Sequence, residues 1–500
     1  MVFLKGTVSG FIEDRPFKML PMNQSAFERQ VAYLYEQVAD RMSTLINQGT
    51  LSPGERIPSV RRLSGQLRVS ISTVQQAYIL LEDRGFIDAR PQSGFYVKLR
   101  ARDLPPEPKP SNPSLSATRV GVAELVAKVF EAARNPDVIA LATAVPSSEL
   151  LPTNQLNRLL AWVARHKGQQ GVNYDFPPGN EALRRQVARR SLDWGCSLSP
   201  DDIVTTCGAM EALNLCLRAV AKPGDTIAVE SPTFYGILQA SLGMRALEIP
   251  THPRDGINLD ALEQAIKRNK VKACLLIPNF NNPLGSCMSD KNKKQLVEML
   301  GRREIPLIED DIYGDIYFGT VRPKAAKAFD KNGMVLLCSS FSKTIAPGYR
   351  VGWTAPGRFK LQVEHLKSMN TVATATLPQM AVARFLENGG YDHHLRKLRK
   401  ALATQVQRVT LAISQHFPEG TRVTRPAGGF VLWVELPKRV DSLELYRKAL
   451  EKKISIAPGP IFSAKQKYQH FIRLSCGQPW SERLEHALIT LGRLAGKAQG

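Results

Sequence analysis

The chain has 500 residues, more than one hydrophobic core usually organises, so at least two domains are expected. Its apolar content of 43% is ordinary for a globular protein, and no apolar run is long enough to span a membrane. The formal net charge of +22 favours polyanionic partners such as nucleic acids, although many basic enzymes bind none.

Residues 1–24 are predicted to be a disordered leader. They do not resemble a secretory signal, because charged side chains soon follow the first apolar ones. The seven cysteines of the chain are scattered and lack the spacing of a metal or redox site. We therefore expect free thiols, a cytoplasmic location and no bound metal.

Residues 25–100 are predicted to form a small domain of three helices and a hairpin. Ser59 is expected to cap the second helix, and Ser70 or Ser72 the third. The predicted hairpin strands are residues 86–90 and 95–98. A short helix followed closely by a longer one has helix-turn-helix spacing, and the hairpin after it forms a wing.

The two adjacent helices of this domain carry a basic face. Arginines and no acidic residues occur from Arg56 to Leu81, which suits docking on a phosphate backbone. Polar side chains at the start of the third helix can reach the groove edges of DNA. The residues predicted to bind DNA are Arg56, Arg61, Arg62, Ser70, Ser72, Thr73, Gln75 and Gly94. The alternative is a winged helix that serves protein contacts.

This segment resembles the winged helix-turn-helix of the GntR family of bacterial regulators. The matching motifs are LSPGERIPSVRRL from Leu51, VSISTV from Val69 and LEDRGFI from Leu81. The resemblance implies DNA contacts at Arg61 and Thr73 and a wing tip at Gly94. Ile71 and Gln75 occupy positions that are arginine in some members, which leaves the operator sequence open but not DNA binding.

Residues 101–136 are predicted to be a proline-rich linker. Five prolines lie in the nine residues 105–113, which excludes a helix there and favours an extended spacer of about 3.1 Å per residue. We hypothesise that such a spacer lets the winged helix of one chain pack on the second domain of another.

Five apolar segments of the second domain, residues 137–497, are predicted to be buried strands. They are residues 201–206, 226–230, 273–278, 305–310 and 334–338. Open α/β sheets bind their ligands at the carboxyl ends of the strands. We therefore expect the side chains that follow these segments to share one site.

Lys343 follows the last of these strands. An ammonium in such a crevice is poorly hydrated, which favours the neutral amine that a Schiff base requires. The hydroxyls of Ser340 and Ser342 and the guanidinium of Arg350 suit a phosphate. Together they suggest pyridoxal 5′-phosphate, with a loop that carries a surface lysine as the alternative.

The other strand ends offer complementary chemistry. Asp310 can pair with a protonated pyridine nitrogen, and Tyr313 and Asn282 can donate to the phenolic oxygen of the ring. The order strand, Gly208, helix presents free N–H groups to a phosphate. An aromatic side chain at Phe234 or its neighbour can stack on the ring.

These motifs resemble those of the fold-type I aminotransferases, the aspartate aminotransferase superfamily. The resemblance implies a mostly parallel central sheet with helices on both faces and a smaller C-terminal α/β subdomain. The cofactor-binding residues that it implies are Lys343, Asp310, Tyr313, Asn282, Ser340, Ser342, Arg350, Gly208, Ala209, Met210, Phe234 and Tyr174. Tyr174 resembles the tyrosine that reaches the phosphate of the neighbouring subunit, and Arg473 resembles the arginine that binds the substrate α-carboxylate. Lys343 resembles the catalytic lysine.

A GntR-like winged helix in front of an aminotransferase-like domain resembles the MocR subfamily of regulators. This resemblance implies a homodimer that binds repeated half-sites on double-stranded DNA. It would sense pyridoxal phosphate, a small amino compound or both through an aldimine on Lys343. Two alternatives remain: an active transaminase with a fused DNA-binding domain, and an inactive scaffold that only dimerises.

Overall fold

The structure is a computed structural model of the chain. It describes residues 33–47, 50–51, 54–90, 93–98, 104–121, 123–241 and 243–497. Outside the described residues lie the predicted leader 1–24, the start of the predicted linker at 101–103 and residues 91–92 of the wing turn. The chain divides into two compact units, Met1–Lys98 and Leu99–Gly500.

The first unit contains three helices and a hairpin. Its elements are α1 (Leu34–Asn47), α2 (Val60–Leu67), α3 (Ile71–Asp83), β1 (Ile87–Arg90) and β2 (Gly94–Val97). Ser59 caps α2 by accepting the N–H of Arg62 at 3.3 Å, and Ser70 caps α3 by accepting the N–H of Thr73 at 3.0 Å. Arg68 ends α2 in a left-handed conformation with φ of 54°.

One core holds the first unit together. Its buried members include Val38, Met42, Leu63, Val74, Tyr78, Leu81, Ile87 and Val97. The hydroxyl of Tyr78 on α3 donates to the carbonyl of Pro58 at 2.7 Å, which fixes α3 against the turn before α2. The predicted winged helix-turn-helix is confirmed.

The second unit alternates helices and strands. Its helices are α4 (Ala123–Ala133), α5 (Thr153–His166), α6 (Gly168–Gly171), α7 (Glu181–Arg190), α8 (Ala209–Val220), α9 (Tyr235–Ala240), α10 (Leu259–Arg268), α11 (Asp290–Gly301), α12 (Lys360–Asn370), α13 (Thr376–Glu387), α14 (Gly390–His416), α15 (Ser442–Glu451) and α16 (Glu482–Lys497). Its strands are β3 (Thr118–Arg119), β4 (Ile139–Ala140), β5 (Val204–Thr206), β6 (Thr226–Ser231), β7 (Arg245–His252), β8 (Gly256–Ile257), β9 (Val271–Leu276), β10 (Leu307–Asp310), β11 (Val335–Ser340), β12 (Gly352–Ala355), β13 (Arg422–Val423), β14 (Val431–Glu435), β15 (Ile454–Ser455), β16 (Ala457–Pro458) and β17 (Phe471–Ser475).

The large sheet of this unit has the order β3-β7-β6-β9-β10-β11-β12-β5, with β8 paired to β7. Strands β7, β6, β9, β10 and β11 are parallel, whereas β12 is antiparallel to both β11 and β5. Strand β5 therefore points the same way as the parallel strands, and their carboxyl ends share one edge. A smaller antiparallel sheet, β13-β14-β17-β16, lies in the C-terminal part. The predicted α/β fold is confirmed.

Residues 104–119, here called the strap, run extended along the second unit. Arg254 donates to the carboxylate of Glu107 at 2.5 Å. The hydroxyl of Ser111 donates to the carbonyl of Ser231 at 2.5 Å and accepts the N–H of Thr251 at 2.8 Å. The part of the predicted linker that the structure describes is thus held on the second unit, and its later residues form α4.

Candidate cofactor site and nucleic-acid interface

The carboxyl ends of five strands bring the predicted cofactor residues to one edge of the large sheet. Strand β5 leads to Gly208, β6 to Phe234, β9 to Asn282, β10 to Asp310 and Tyr313, and β11 to Lys343. The strands align these ends because their parallel hydrogen bonding keeps them in register. Residues that are far apart in the chain therefore meet at one edge.

Lys343 is half-buried in the turn after β11. Its Nζ donates to the carbonyl of Ala144 at 2.5 Å. Burial and the positive charge of Arg473 lower the pKa of Lys343 to about 8; Arg350 adds to the shift and Asp310 opposes it. More of this amine is neutral near pH 7 than of an exposed lysine, which suits a nucleophile.

Asp310 is buried at the end of β10. Its Oδ1 accepts the N–H of Ile312 at 3.2 Å. Burial raises the pKa of Asp310 to about 7 against the opposing effect of that hydrogen bond, and the charge of Asp311 raises it further. A cationic group placed against Asp310 would favour its charged form.

Asn282 connects Tyr313 to Arg473. Its Nδ2 donates to the Tyr313 hydroxyl at 3.4 Å, and its Oδ1 accepts from Arg473 at 3.3 Å. Arg473 lies on β17, is fully buried and also donates to the carbonyl of Ala142. Its Nε has no hydrogen-bond partner among the described residues. A buried guanidinium with an unused N–H can bind a carboxylate.

The predicted phosphate site, here called the phosphate cup, comprises Gly208, Ala209, Met210, Ser340, Ser342 and Arg350. Gly208 immediately precedes α8 with φ of 77°, and the first N–H groups of a helix have no partner within it. Arg350 donates to the carbonyl of Cys207 at 3.1 Å and to the Ser342 hydroxyl at 3.4 Å. A Cβ at position 208 would overlap the Arg350 guanidinium, so glycine is needed for this close approach.

The two candidate aromatic side chains have different surroundings. Tyr235 is buried, with its ring 5.7 Å from that of Phe462. Phe234 immediately precedes α9, is only partly buried and lies 4.5 Å from the Tyr235 ring. Phe234 is therefore the more accessible of the two for stacking on a planar ligand.

The structure does not bring Tyr174 into the site of its own chain. Its side chain is 70% exposed and its ring packs beside Phe176 at 5.4 Å. Among the described residues, no hydrogen bond or ring contact joins Tyr174 to the phosphate cup.

A buried ion pair lies beside the phosphate cup, and sequence reasoning did not identify it. Lys367 on α12 is fully buried and its Nζ lies 3.0 Å from the carboxylate of Glu211, in the first turn of α8. Glu211 also accepts the N–H of Cys207 at 2.5 Å, and Lys367 donates to Thr374 at 3.0 Å. The only sequence signal is that Lys367 lies one helical turn after the buried Val363.

Basic side chains of the first unit lie on α2 and at the hairpin, the two elements that pack beside α3. Arg61 and Arg62 are exposed on α2, and no described acidic side chain forms an ion pair with either. Arg56 lies over Gly94 at the start of β2; a Cβ at Gly94 would be 3.3 Å from its Nε. Positive charge therefore flanks α3 on the side of α2 and on the side of the hairpin.

The hydroxyls at the start of α3 are hydrogen-bonded to each other. The Ser70 Oγ lies 2.8 Å from the Ser72 Oγ and 2.7 Å from the Thr73 Oγ1, in addition to capping the helix. Gln75 is exposed one helical turn later. These hydroxyls already form hydrogen bonds at the helix cap, whereas Gln75 takes no part in the cap.

Each of the two units matches a different known protein family. The model described as "Aminotransferase class I and II" matches residues 136–491, and that described as "Bacterial regulatory proteins, gntR family" matches residues 34–97. No described helix is long and apolar enough to cross a membrane.

Individual relatives cover both units or the second alone. The chain is 42% identical to the uncharacterized HTH-type transcriptional regulator YdcR of Escherichia coli K12, over 92% of this chain and 98% of that protein. It is 31% identical to aromatic-amino-acid aminotransferase 1 of Thermococcus litoralis, over 74% of this chain and 90% of that enzyme. Among solved structures, α-aminoadipate aminotransferase LysN of Thermus thermophilus, in complex with N-(5′-phosphopyridoxyl)-L-leucine, is similar with a TM-score of 0.69 at 28% identity. That match covers 76% of this chain and 99% of the enzyme.

Proposed function

Because the chain belongs to the class I and II aminotransferase family and carries a GntR-family domain at its front, as MocR-type regulators do, we propose that it is a transcription regulator that binds pyridoxal phosphate. Residues 25–100 would bind DNA, residues 101–136 would connect the domains, and residues 137–497 would bind the cofactor. A homodimer would contact repeated half-sites on double-stranded DNA. The proposal places the chain with that DNA in the cytoplasm.

One observation carries the cofactor part of this proposal. A lysine whose pKa is lowered to about 8 shares an edge of the sheet with a buried acid, an amide–phenol pair and a helix start without a side-chain cap. These groups match the aldehyde, the pyridine nitrogen, the phenolic oxygen and the phosphate of pyridoxal phosphate. The residues present therefore fit this cofactor.

Each residue has a distinct role in the proposal. When bound, pyridoxal phosphate supplies an aldehyde that condenses with amines and a ring that accepts electrons. Lys343 would be its covalent anchor, and Asp310 would hold a proton on the ring nitrogen. Asn282 and Tyr313 would donate to the phenolic oxygen, while Phe234 would cover one face of the ring.

Arg473 points to the chemical class of the effector. Its buried guanidinium has an Nε without a partner among the described residues and lies in the same cluster as Lys343. An amino compound that carries a carboxylate would occupy that N–H while its amine reacts at the anchor. An α-amino acid or a close relative meets both requirements.

The regulatory output would follow from linkage. A ligand that binds one conformation of the dimer more tightly shifts the population toward that conformation. If the two conformations differ in operator affinity, effector and DNA change each other's affinity by the same factor. Tyr174, exposed in this chain, would complete the phosphate cup of the partner subunit in such a dimer.

A paired titration tests the proposal. The full chain is loaded with pyridoxal phosphate and titrated with amino acids while its absorbance is recorded, and binding to duplexes selected from a randomised library is measured in parallel. The expected result is a spectral change together with a change in DNA affinity. Lys343→Ala is the control, and it should lose both responses to the amine. A wild type whose spectrum matches that of Lys343→Ala would instead support an inactive scaffold.

The second candidate function is a working transaminase. The specific observation in its favour is that every predicted cofactor side chain is present, together with 31% identity to an aromatic-amino-acid aminotransferase. Multiple-turnover assays with pairs of amino and keto acids separate the two functions. Robust turnover would contradict a pure regulator, whereas a single half-reaction would not.

A further inference from the structure

Helix α3 would enter the major groove in the proposed function, yet it contains no lysine or arginine. Its buried face consists of Val74, Ala77, Tyr78 and Leu81. Its exposed positions are Ile71, Ser72, Gln75, Gln76 and Ile79, followed by the acidic Glu82 and Asp83 at its end. A bidentate arginine or lysine is the commonest means of reading guanine. Helix α3 therefore lacks the usual guanine contact.

The side chains free to read bases are fewer than the exposed positions suggest. Ser72 is held by Ser70 in the cap, at 2.8 Å between their Oγ atoms. Ile79 lies two turns beyond Ile71, in the half of the helix farther from the groove-facing end. Gln76 is turned about 140° from Ile71 around the helix axis, so it projects from a different face. Ile71 and Gln75 remain, one turn apart on the same face at the start of the helix.

Ile71 is an apolar side chain where a polar one is usual. It is 48% exposed in the first turn of α3, the helix that follows the arginines of α2. A single exposed isoleucine is ordinary on a protein surface. In the major groove, however, the edges of the bases carry donors and acceptors together with one methyl group, that of thymine. An isoleucine facing these edges has that methyl group as its favourable partner.

Gln75 supplies the complementary polar contact. A side-chain amide can donate to N7 and accept from N6 of adenine in a bidentate arrangement. Side chains at positions i and i+4 of a helix are about 6 Å apart, whereas successive base pairs are about 3.4 Å apart. The two side chains therefore fall on base pairs one or two steps apart.

We infer that Ile71 and Gln75 determine the base specificity of α3 and select A·T pairs, with Ile71 on a thymine methyl and Gln75 on an adenine. This inference rests on the proposed function and names the operator chemistry that it needs. Arg56, Arg61 and Arg62 contact phosphates on either side and set affinity without selecting sequence.

The experiment selects duplexes from a randomised library with the full, cofactor-loaded chain and then edits the selected half-site. Replacing the contacted thymine by deoxyuridine removes only the methyl group and is expected to weaken binding about fourfold. Ile71→Ala should bind the thymine and deoxyuridine duplexes equally. Gln75→Ala should lose about tenfold of its preference for adenine over the other bases at one position.

Matched variants separate this inference from general effects. Ile79→Ala removes an exposed isoleucine from the same helix and should retain the full methyl effect. Arg61→Ala should weaken binding to all duplexes by a similar factor and reduce the dependence on salt. Ile71 and Ile79 are both exposed, so neither replacement should change the melting temperature appreciably.

The outcomes also distinguish this inference from the proposed function. A selected half-site without a methyl-sensitive thymine, or a methyl effect that survives in Ile71→Ala, would overturn the roles assigned here and leave the regulator intact. No sequence enrichment at all would contradict the sequence-specific regulator itself. A methyl effect lost only in Ile71→Ala supports the inference.

Discussion

Replacing Lys367 by methionine leaves a buried carboxylate without its cation beside the phosphate cup. The Lys367 side chain is 0% and the Glu211 side chain 7% exposed, with 3.0 Å between Nζ and the carboxylate. The N–H of Cys207 and the hydroxyl of Thr371 still donate to this carboxylate, but no other described cation forms an ion pair with it. Breaking a buried pair in this way costs about 3–5 kcal/mol, and we expect the free energy of unfolding to fall by that amount.

The same change should weaken cofactor binding. Glu211 lies in the first turn of α8, and a helical turn rises about 5.4 Å, so a phosphate at the helix start is within about 10 Å of the carboxylate. At an effective dielectric constant of about 20, one uncompensated charge at that distance costs about 1.7 kcal/mol. This corresponds to a roughly 15-fold loss of affinity for pyridoxal phosphate.

A double-mutant cycle tests both expectations. Glu211→Gln keeps an acceptor for the N–H of Cys207 but removes the charge. Urea denaturation and cofactor titration are measured for each single variant and for the double variant Lys367→Met/Glu211→Gln. We expect the double variant to recover most of the cofactor affinity and to show a coupling energy of about 2 kcal/mol in stability.

Lys293→Met is the matched control. Lys293 is also fully buried, but its Nζ donates to the neutral oxygen of Asn279 at 2.6 Å and to the carbonyl of Lys324 at 2.7 Å. Its loss should lower stability without changing cofactor affinity. Additive effects of Lys367→Met and Glu211→Gln, or unchanged cofactor affinity in Lys367→Met, would refute the charge-compensation argument.

Three further predictions concern the anchor, the effector and the strap. Raising the pH through about 8 should speed the binding of pyridoxal phosphate to the apoprotein, because Lys343 loses its proton there. The charge of Asp310 raises the pKa of Lys343, so Asp310→Asn should move the midpoint of this pH dependence to lower pH. Stopped-flow absorbance measures both, and an unshifted midpoint would contradict the assignment. Arg473→Met should weaken the spectral response to an α-amino acid about 10- to 150-fold and spare the response to the matching amine without a carboxylate. Ser111→Ala should cost about 1–3 kcal/mol in urea denaturation, because the carbonyl of Ser231 loses its donor; a loss below about 0.5 kcal/mol would mean that water replaces the hydroxyl.

Local patterns in the sequence were sufficient to predict the winged helix-turn-helix and five strands of the large sheet, but not α4 within the predicted linker. Ser59 and Ser70 cap the helices that they were expected to cap, because capping depends on a side chain and an N–H three residues away. The five strand ends were also identifiable, since an apolar run and the residues that follow it are contiguous. Whether the residues assigned to those ends act on a cofactor stays a prediction.

Only the tertiary structure decided which distant groups meet. Lys343 and Ala144 are 199 residues apart, Arg473 and Asn282 are 191 apart, and Lys367 and Glu211 are 156 apart. The sequence of the strap likewise has no pattern that would distinguish a segment bound to the second unit from a free spacer. The periodicity of apolar residues in a helix or strand indicates which face of the element is buried, but not which other element covers that face. That choice depends on the packing of the whole sheet and its helices, so the partners of Lys367, Arg473 and Ser111 are properties of the folded unit.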